Sequence, residues 1–385
     1  MKGLFMPIES DFSRTVFIFV DNLNMGGYQR LALDQAYCFA SLGHRVSLIS
    51  LSEIPSADKP SFIGPEASLI RKSGLIMKSY SGSRCRQFRN IRKFLKHEIQ
   101  DPLFISHSLR ATVLLALIRI TLPAKFQIHT TIHQIPGLSH LAQRKKRFFY
   151  AQFSNFLHGY SNAVVVDWQA REKDESLLFK VGVSKKIDLL RNGVFIPRIP
   201  KQNSKVLENE KPRLIYIGRS THWKGILEFM NIVKDVHLVN FDVLILMPEF
   251  DKGLLVGLEE SVLERLHILE GKTVADVVRV PGDVHIYPTL YGSNIDLIEG
   301  ISLNCMEMAC MGIPSVISQN GSSTWPENIL KGIITETDWL NLELTVARIL
   351  DASSIGMALL ESKITDIRNL FSITNQIPFY LADKV

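Results

Sequence analysis

Disulfide-stapled folds, zinc sites and membrane spans leave marks in a sequence, and this one has none of them. Its four cysteines, Cys38, Cys85, Cys305 and Cys310, are scattered, with no paired spacing and no matching histidine cluster. They suggest neither a disulfide framework nor a zinc site, and a reducing cytoplasm is the simplest compartment. The most lipid-like stretch, "ATVLLALIRIT" (111–121), is interrupted by Arg119 and falls well short of the roughly 20 apolar residues that span a bilayer. At the N-terminus the apolar run 16–20 is short and flanked by Glu9, Asp11 and Asp21, unlike a signal peptide, so no export is expected. G-x-G-x-x-G is missing, which counts against a nicotinamide dehydrogenase. G-x-x-x-x-G-K-[ST] is missing too, so there is no P-loop, and no Asp-x-Asp metal motif occurs. There is no internal repeat and no low-complexity tract.

What remains is the composition of a folded protein. The chain has 385 residues, 46% apolar and 21% charged, which suits two domains of roughly 190 residues that each bury a core. Charge is unevenly placed. Residues 1–200 hold 28 Lys+Arg against 14 Asp+Glu, whereas residues 201–385 hold 16 against 24. The first half is therefore expected to meet something anionic: a lipid surface, a phosphorylated substrate or nucleic acid.

Strand and helix signals alternate in both halves. "TVFIFV" (15–20) reads as a strand, "NLNMGG" as a glycine-closed turn, 28–43 as a helix stopped at Gly43, and "RVSLISL" (45–51) as the next strand. Further strands are expected at 103–108, 126–132 and 162–167, with a helix over 109–121. Such near-continuous apolar strands separated by helices indicate a parallel sheet covered on both faces. "NGVFIPRIPKQNSKVLENEKP" (192–212), with three prolines and no sustained period, reads as a linker. Beyond it the alternation restarts: strands at "RLIYIG", "FDVLILM", "LHILEG", "VHIYPT" and "SVIS", and a helix over "KGILEFMNIVKDV".

Two stretches carry most of the surplus cations. Residues 71–98 contain Arg71, Lys72, Lys78, Arg84, Arg86, Arg89, Arg92, Lys93 and Lys96, and "RKKRFFY" (144–150) mixes four cations with three aromatics. Either is a solvated helix face or an interfacial helix that attracts anionic headgroups while its aromatics sit at the lipid boundary. No nucleic-acid-binding module is recognisable, so nucleic acid is the weaker expectation.

Chemistry concentrates at four places. In "IEGISLNCMEMACMGIPSVIS" (298–318), Gly312 and Pro314 stop a helix that begins near Ser302 to Asn304. Its unpaired N–H groups form an anion-favouring end, with Glu299 before the first turn and Glu307 within the helix. Asn304 and Glu307 also fit a capping box, which needs no ligand, and both readings stand on these residues alone. In "LIYIGRSTHWKG" (214–225), Arg219 and Lys224 follow a strand, where doubly wound sheets bind ligands; a pair of exposed loop cations is the alternative. Gly26 and Gly27 lie between the first strand and first helix, where bare backbone admits a phosphate or sugar. His133, in "TTIHQIPG", stands at a strand end, as does His107 in "ISHS". A strand-end histidine is more often structural than liganding.

In order, "NMGGYQRLALDQAYCFASLGHRVSLIS", "TTIHQIPG", "LRNGVFIP", "LIYIGRSTHWKG" and "EGISLNCMEMACMGIPSVIS" resemble the successive signatures of the retaining glycosyltransferases of family 4, also called group 1. The resemblance runs from residue 15 to about 330. It implies an α/β, GT-B fold: two doubly wound, Rossmann-like domains facing across a cleft. The expected division is an acceptor-binding domain over 1–193, a linker over 194–212, a nucleotide-sugar domain over 213–370, and a segment 371–385 packing back on the first domain. Glu299 and Glu307 become the E-x7-E pair, Glu299 facing the donor sugar and Glu307 the ribose hydroxyls. Gly300, Ile301, Ser302 and Leu303 line the donor site, Arg219 and Lys224 neutralise the diphosphate, Gly26 and Gly27 form the glycine loop, and His133 lines the sugar pocket. The family usually shows Glu-Gly-Phe-Gly at the motif's start; Ile301 and Ser302 replace the last two residues here, and Ser302 adds a side chain where backbone would approach phosphate.

The function this implies is metal-independent transfer of a sugar, hexosyl in type, from a nucleoside diphosphate sugar to a glycan or polyprenyl-diphosphate-linked acceptor, in cell-surface polysaccharide or lipopolysaccharide synthesis. No cofactor is expected, and the protein is expected in the cytoplasm, held peripherally on the inner face of the membrane through 71–98 and 144–150. Two alternatives are a non-catalytic sugar-nucleotide-binding subunit and a sugar-nucleotide epimerase or phosphorylase of the same fold.

Overall fold

The computed structural model describes residues 14–24, 26–53, 70, 72–98, 102–122, 126–132, 163–167, 188–190, 192–199, 210–220, 224–289, 302–318, 332–359 and 361–381. The first lobe contains β1 (Thr15–Val20), α1 (Gly27–Ser41), β2 (Arg45–Ser50), β3 (Ile76–Ser79), α2 (Arg84–Glu98), β4 (Leu103–Ser106), α3 (Leu109–Thr121), β5 (Gln127–Ile132), β6 (Ala163–Asp167) and β7 (Asp188–Leu190). The second contains β8 (Arg213–Ile217), α4 (Ile226–Ile232), β9 (Asp242–Met247), α5 (Glu260–Leu263), β10 (Leu266–Glu270), β11 (Val284–Tyr287), α6 (Leu303–Cys310), β12 (Ser315–Ser318), β13 (Ile334–Thr337), α7 (Leu342–Ala358) and α8 (Glu361–Phe371). A last helix, α9 (Ile377–Leu381), follows.

Among the described residues every strand pairing is parallel. The first sheet runs β3-β2-β1-β4-β5-β6-β7 and the second β10-β9-β8-β11-β12-β13. Strand order therefore reverses between β1 and β4, and again between β8 and β11. At such a reversal the flanking connections leave towards opposite faces of the sheet, opening a crevice beyond the carboxyl ends of the strands.

The continuous apolar strands have the burial their pattern demands. Phe17 stacks on Phe104 with centroids 5.2 Å apart, and Phe104 meets Phe126 at 4.5 Å. Full burial of one such ring contributes about 1.5–3 kcal/mol. Helix α2 adds Ile91 and Leu95 to this layer, with Phe88 and Phe94 packed against it. Gln87 on the same helix donates to Leu51 O at 2.6 Å and accepts from Arg110 at 2.9 Å. The cationic 71–98 stretch thus spends its apolar side on the core. Arg84, Arg86, Arg89, Lys93 and Lys96 are exposed, whereas Lys78 lies 3.6 Å from the centre of the Phe94 ring. Phe88 and Phe94 of α2 are partly buried against this core. Residues 144–150 lie outside the described residues. Among the described residues no helix is long and apolar enough to cross a membrane.

The chain passes between the lobes twice, and the two passages are joined. Val194 N donates to Phe371 O at 2.8 Å and Ile373 N donates back to Val194 O at 3.0 Å, which makes a parallel bridge between Val194 and Ser372. Phe195 packs in the first lobe's core, while Val194 and Ile199 pack in the second's. The proline-rich stretch read as a linker therefore begins as packed structure, with a short 3-10 turn over Ile196–Arg198. On the return passage, Ile367 and Phe371 belong to the second core, whereas Ile373, Ile377 and Tyr380 belong to the first. A buried polar network fixes that end: Gln35 Nε2 donates to Gln376 Oε1 at 2.9 Å and to Tyr380 Oη at 3.1 Å.

Other departures from the sequence reading are local. Helix α4 covers seven residues rather than the thirteen of "KGILEFMNIVKDV", because it starts only after left-handed Gly225 and gives way to a 3-10 turn at Val236–Leu238. Strands β3, β7 and β13 and helices α5 and α7 to α9 are absent from the sequence reading. Gly193 is required by the crossing: a Cβ there would lie 2.8 Å from Ile373 Cα and 3.1 Å from Phe371 O, both backbone. Gly193→Ala is expected to lower stability by about 1–3 kcal/mol, as overpacking against unyielding backbone does. Denaturant unfolding of the variant against the parent checks this.

Candidate active site

The second lobe's crevice is built outward from β8. Tyr216, 1% exposed, points its hydroxyl at the loop that follows the strand, 3.1 Å from Arg219 O and 3.3 Å from Lys224 O. One phenol proton is shared between the two carbonyls that bracket the loop, so Arg219 and Lys224 are spaced by a buried side chain. Burial raises the Tyr216 pKa, as does Glu228, keeping that proton in place. Lys224 Nζ donates to Tyr287 Oη at 2.8 Å and sits 5.2 Å from the centre of the Tyr287 ring. Tyr287 ends β11, so the Lys224–Tyr287 contact lies at the point where strand order reverses. Gly225, at φ 71°, follows Lys224, and a Cβ there would run into the carbonyl of Pro288. Only glycine satisfies both the left-handed backbone and this approach.

Helix α6 begins at the same crevice. Its N-cap is Ser302, whose side chain makes no capping bond. Asn304 Nδ2 donates to Ile217 O, the last residue of β8, at 3.1 Å. The helix start is thereby tied to the strand that carries Arg219. The capping-box alternative for Asn304 and Glu307 is thus set aside, since Asn304 sits one residue inside the helix and its amide is used elsewhere. Gly312, at φ 75°, ends the helix as its sequence suggests. Leu303, the first helical residue, packs against the cores of both lobes.

The first lobe meets this surface at its glycine turn. Arg219 reaches across so that its Nη2 lies 2.6 Å from where a Cβ on Gly26 would be, and Gln29 Oε1 crowds the same point. A Cβ at 26 would have to displace these two side-chain ends. A Cβ on Gly27 would meet nothing within 4 Å, and its backbone is helical. No protein contact explains the glycine at the first helical position, where alanine would be the better helix former. Around the turn, Asn22 Oδ1 accepts from Gln29 Nε2 at 2.9 Å and from Asn24 N at 3.1 Å. Asp21 accepts from Ser108 Oγ, the cap of α3, at 2.8 Å. Burial, then Asp21, raises the Tyr28 pKa, against opposing pulls that include Arg219.

Glu307 is placed where the lobes touch, and it is 3% exposed. Arg198 Nη2 donates to Glu307 Oε1 and also to Asp34 Oδ2, the latter at 3.0 Å. Arg30 Nε is 3.7 Å from Glu307 Oε1 and 3.7 Å from Asp34 Oδ1. Two guanidinium groups and two carboxylates, from α1, the crossover turn and α6, thus form one buried neutral quartet. Desolvation, then the neighbouring Arg198 charge, lowers the Arg30 pKa to about 10. For Arg198 desolvation pulls down, but Asp34 and Glu307 outweigh it and the pKa is raised.

The structure thus brings Arg219 of the second lobe against Gly26 of the first, packs Leu303 on both cores, and puts Glu307 in the quartet. Glu299, Gly300, Ile301 and His133 lie outside the described residues. His107 is 3% exposed with Nε2 2.7 Å from Gln35 Oε1, part of the network that holds the C-terminal segment. Sequence reasoning missed Tyr216, Tyr287, Arg30, Asp34 and Arg198. Only the Arg30–Asp34 spacing carried a signal, a charged i,i+4 pair on a largely apolar helix. Among the described residues no group of three or more His, Cys, Asp or Glu side chains could hold a metal ion.

No protein-family model matches the chain, and no curated protein sequence matches it. Solved structures do. A glycosyltransferase from Rickettsia africae superposes with a TM-score of 0.71 at 16% identity, covering 96% of this chain and 98% of its own. The HepE protein of Anabaena, solved in complex with UDP, gives 0.66 at 13% identity over 96% and 99%. Sucrose-phosphate synthase from Thermosynechococcus elongatus gives 0.64 at 14% over 95% and 98%. The chain has the GT-B fold. In GT-B terms the two crevices described above face each other, and Arg219 lies across the gap between them.

Gly26→Ala is expected to cost about 1 kcal/mol, since alanine is a poor N-cap. The crowding atoms, Arg219 Nη2 and Gln29 Oε1, are side-chain ends that can move. Gly27→Ala is expected to gain up to about 1 kcal/mol from helix propensity alone. Parallel denaturant titrations of the two variants check the opposite signs.

Proposed function

We propose that the chain is a glycosyltransferase that moves a sugar from a nucleoside diphosphate sugar to a hydroxyl on a glycan or lipid-linked acceptor. The observation that carries the reading is Arg219, fixed beside Lys224 at the second lobe's switch point and laid against the glycine turn of the first. Three GT-B structures of similar shape, a glycosyltransferase, a sucrose-phosphate synthase and the HepE protein in complex with UDP, support it.

The chemistry follows from the charges. As the bond from the sugar's anomeric carbon to the diphosphate oxygen breaks, negative charge grows on the leaving phosphate and the sugar becomes oxocarbenium-like. Arg219, Lys224 and the N-terminal end of α6 stabilise that charge, and fixed groups of this kind usually supply the largest catalytic contribution. Gly27 leaves the backbone open for the diphosphate to approach. The acceptor hydroxyl attacks the face the diphosphate is leaving, passes its proton to the departing phosphate oxygen, and retains the configuration. Glu299 and His133 are assigned to the donor sugar's hydroxyls and Glu307 to the ribose. We assign the diphosphate's neutralisation to side chains, with no metal required. Polysaccharide or lipopolysaccharide synthesis on the cytoplasmic face of a membrane is the setting we propose.

Purified protein is expected to hydrolyse or transfer sugar from a UDP- or GDP-sugar. Lys224→Met and Arg219→Met are each expected to lower turnover by about 100-fold or more while far-ultraviolet circular dichroism is unchanged. Full turnover in both variants would end this reading. Donor binding without turnover on any acceptor would instead favour a non-catalytic sugar-nucleotide-binding subunit, for which Ser302 at the helix start is the supporting feature. The exposed cations of α2 support a peripheral contact with anionic lipid, at about 1 kcal/mol per residue near the surface. Flotation with anionic vesicles is expected to recover more protein than neutral vesicles, and equal recovery would remove the membrane from the proposal.

A further inference from the structure

The buried quartet is not explained by stability. Removing ions from water costs several kcal/mol each, and well-packed apolar residues of similar volume serve a core as well or better. Arg30, Asp34, Arg198 and Glu307 are 4%, 0%, 9% and 3% exposed, so each bears that cost. Their arrangement is directional. Phe195 N donates to Asp34 Oδ2 at 3.2 Å, the same oxygen accepts from Arg198 Nη2, and that nitrogen also serves Glu307 Oε1. A chain of contacts thus runs from α1 of the first lobe, through the crossover turn, to one oxygen of a carboxylate on α6 of the second. Among the described residues the contacts to Glu307 fall on Oε1, and a carboxylate held by one oxygen keeps further acceptor sites.

We propose that Arg198, braced by Asp34, is a positioning residue that orients Glu307 to accept the ribose hydroxyls of the nucleotide, so that ribose recognition in the second lobe is set from the first. This rests on the reading of Glu307 under the proposed function. A lysine cannot reproduce the arrangement, because the planar guanidinium fork is pre-organised for carboxylates where an ammonium is a mobile point charge. Arg198 sits on the strand of chain that joins the lobes, so a shift of one lobe against the other moves it relative to Asp34 or to Glu307. Ribose affinity then depends on the register of the lobes.

The test compares UDP and GDP with their 2′,3′-dideoxy forms, by calorimetric titration of the full chain. The parent is expected to bind at least one ribose form about tenfold or more tightly than its dideoxy partner, the effect of a lost hydrogen bond to a charged group. Arg198→Lys is expected to bring the two forms to within about twofold of each other while leaving affinity for inorganic pyrophosphate unchanged. A merely structural role would weaken all probes together. Asp34→Asn, of nearly the same volume, is expected to act in the same direction and serves if Arg198→Lys does not fold. Ribose discrimination that survives in either folded variant overturns the proposal, as does a parent that binds UDP or GDP without regard to the hydroxyls. A parent that binds neither diphosphate overturns it together with the function on which it rests.

Discussion

Four buried charges stand where the two lobes meet, and the geometry of the crevice depends on their mutual neutrality. Arg30 and Asp34 come from the helix after the glycine turn, Glu307 from the helix that opens the other crevice, and Arg198 from the chain between. Deleting any one leaves an uncompensated charge away from water, far costlier than replacing the set. The arrangement therefore specifies a lobe orientation more than it stabilises a fold. The lobes are held with α1 and α6 presenting their starts to the same region, and both starts favour negative charge.

Around that contact, the cations gain their position from uncharged groups. Tyr216 holds the carbonyls at both ends of the loop that carries Arg219 and Lys224, Tyr287 receives the lysine's ammonium, and Gly225 lets the loop turn against Pro288. None of these contacts the diphosphate in the mechanism, yet Tyr287 holds the Lys224 ammonium beforehand, which lowers the entropy that long side chain would lose on binding. A pre-organised pair of cations is a better partner for developing charge than a mobile one.

Much of the scaffold was legible because burial leaves a period. A strand such as "FDVLILM" is apolar from Val243 to Met247 because both its faces are covered, and α3 was readable from its apolar run. Strands β3, β7 and β13 are three or four residues long and include Lys78, Asp188 and Glu336, too short for alternation to emerge. At the site, Arg219 and Lys224 stood out only as a basic pair just after a strand, a position that exposed loop cations also take. The quartet was not legible. Arg30 and Asp34 look like an ordinary helix-surface pair, Arg198 lies between prolines in what reads as a linker, and Glu307 fits a capping pattern. Only the packing of one lobe on the other shows that these belong together, and packing between segments more than a hundred residues apart is a tertiary fact.

The return of the chain to its starting lobe has a consequence for biosynthesis. Ile373, Ile377 and Tyr380 complete the core that Val16, Leu31 and Phe39 begin. On the ribosome the first lobe's core stays incomplete until residues 373–380, made after the second lobe, have emerged. Its apolar seam must wait through the making of the second lobe, a delay in which exposed surface invites aggregation or chaperone capture.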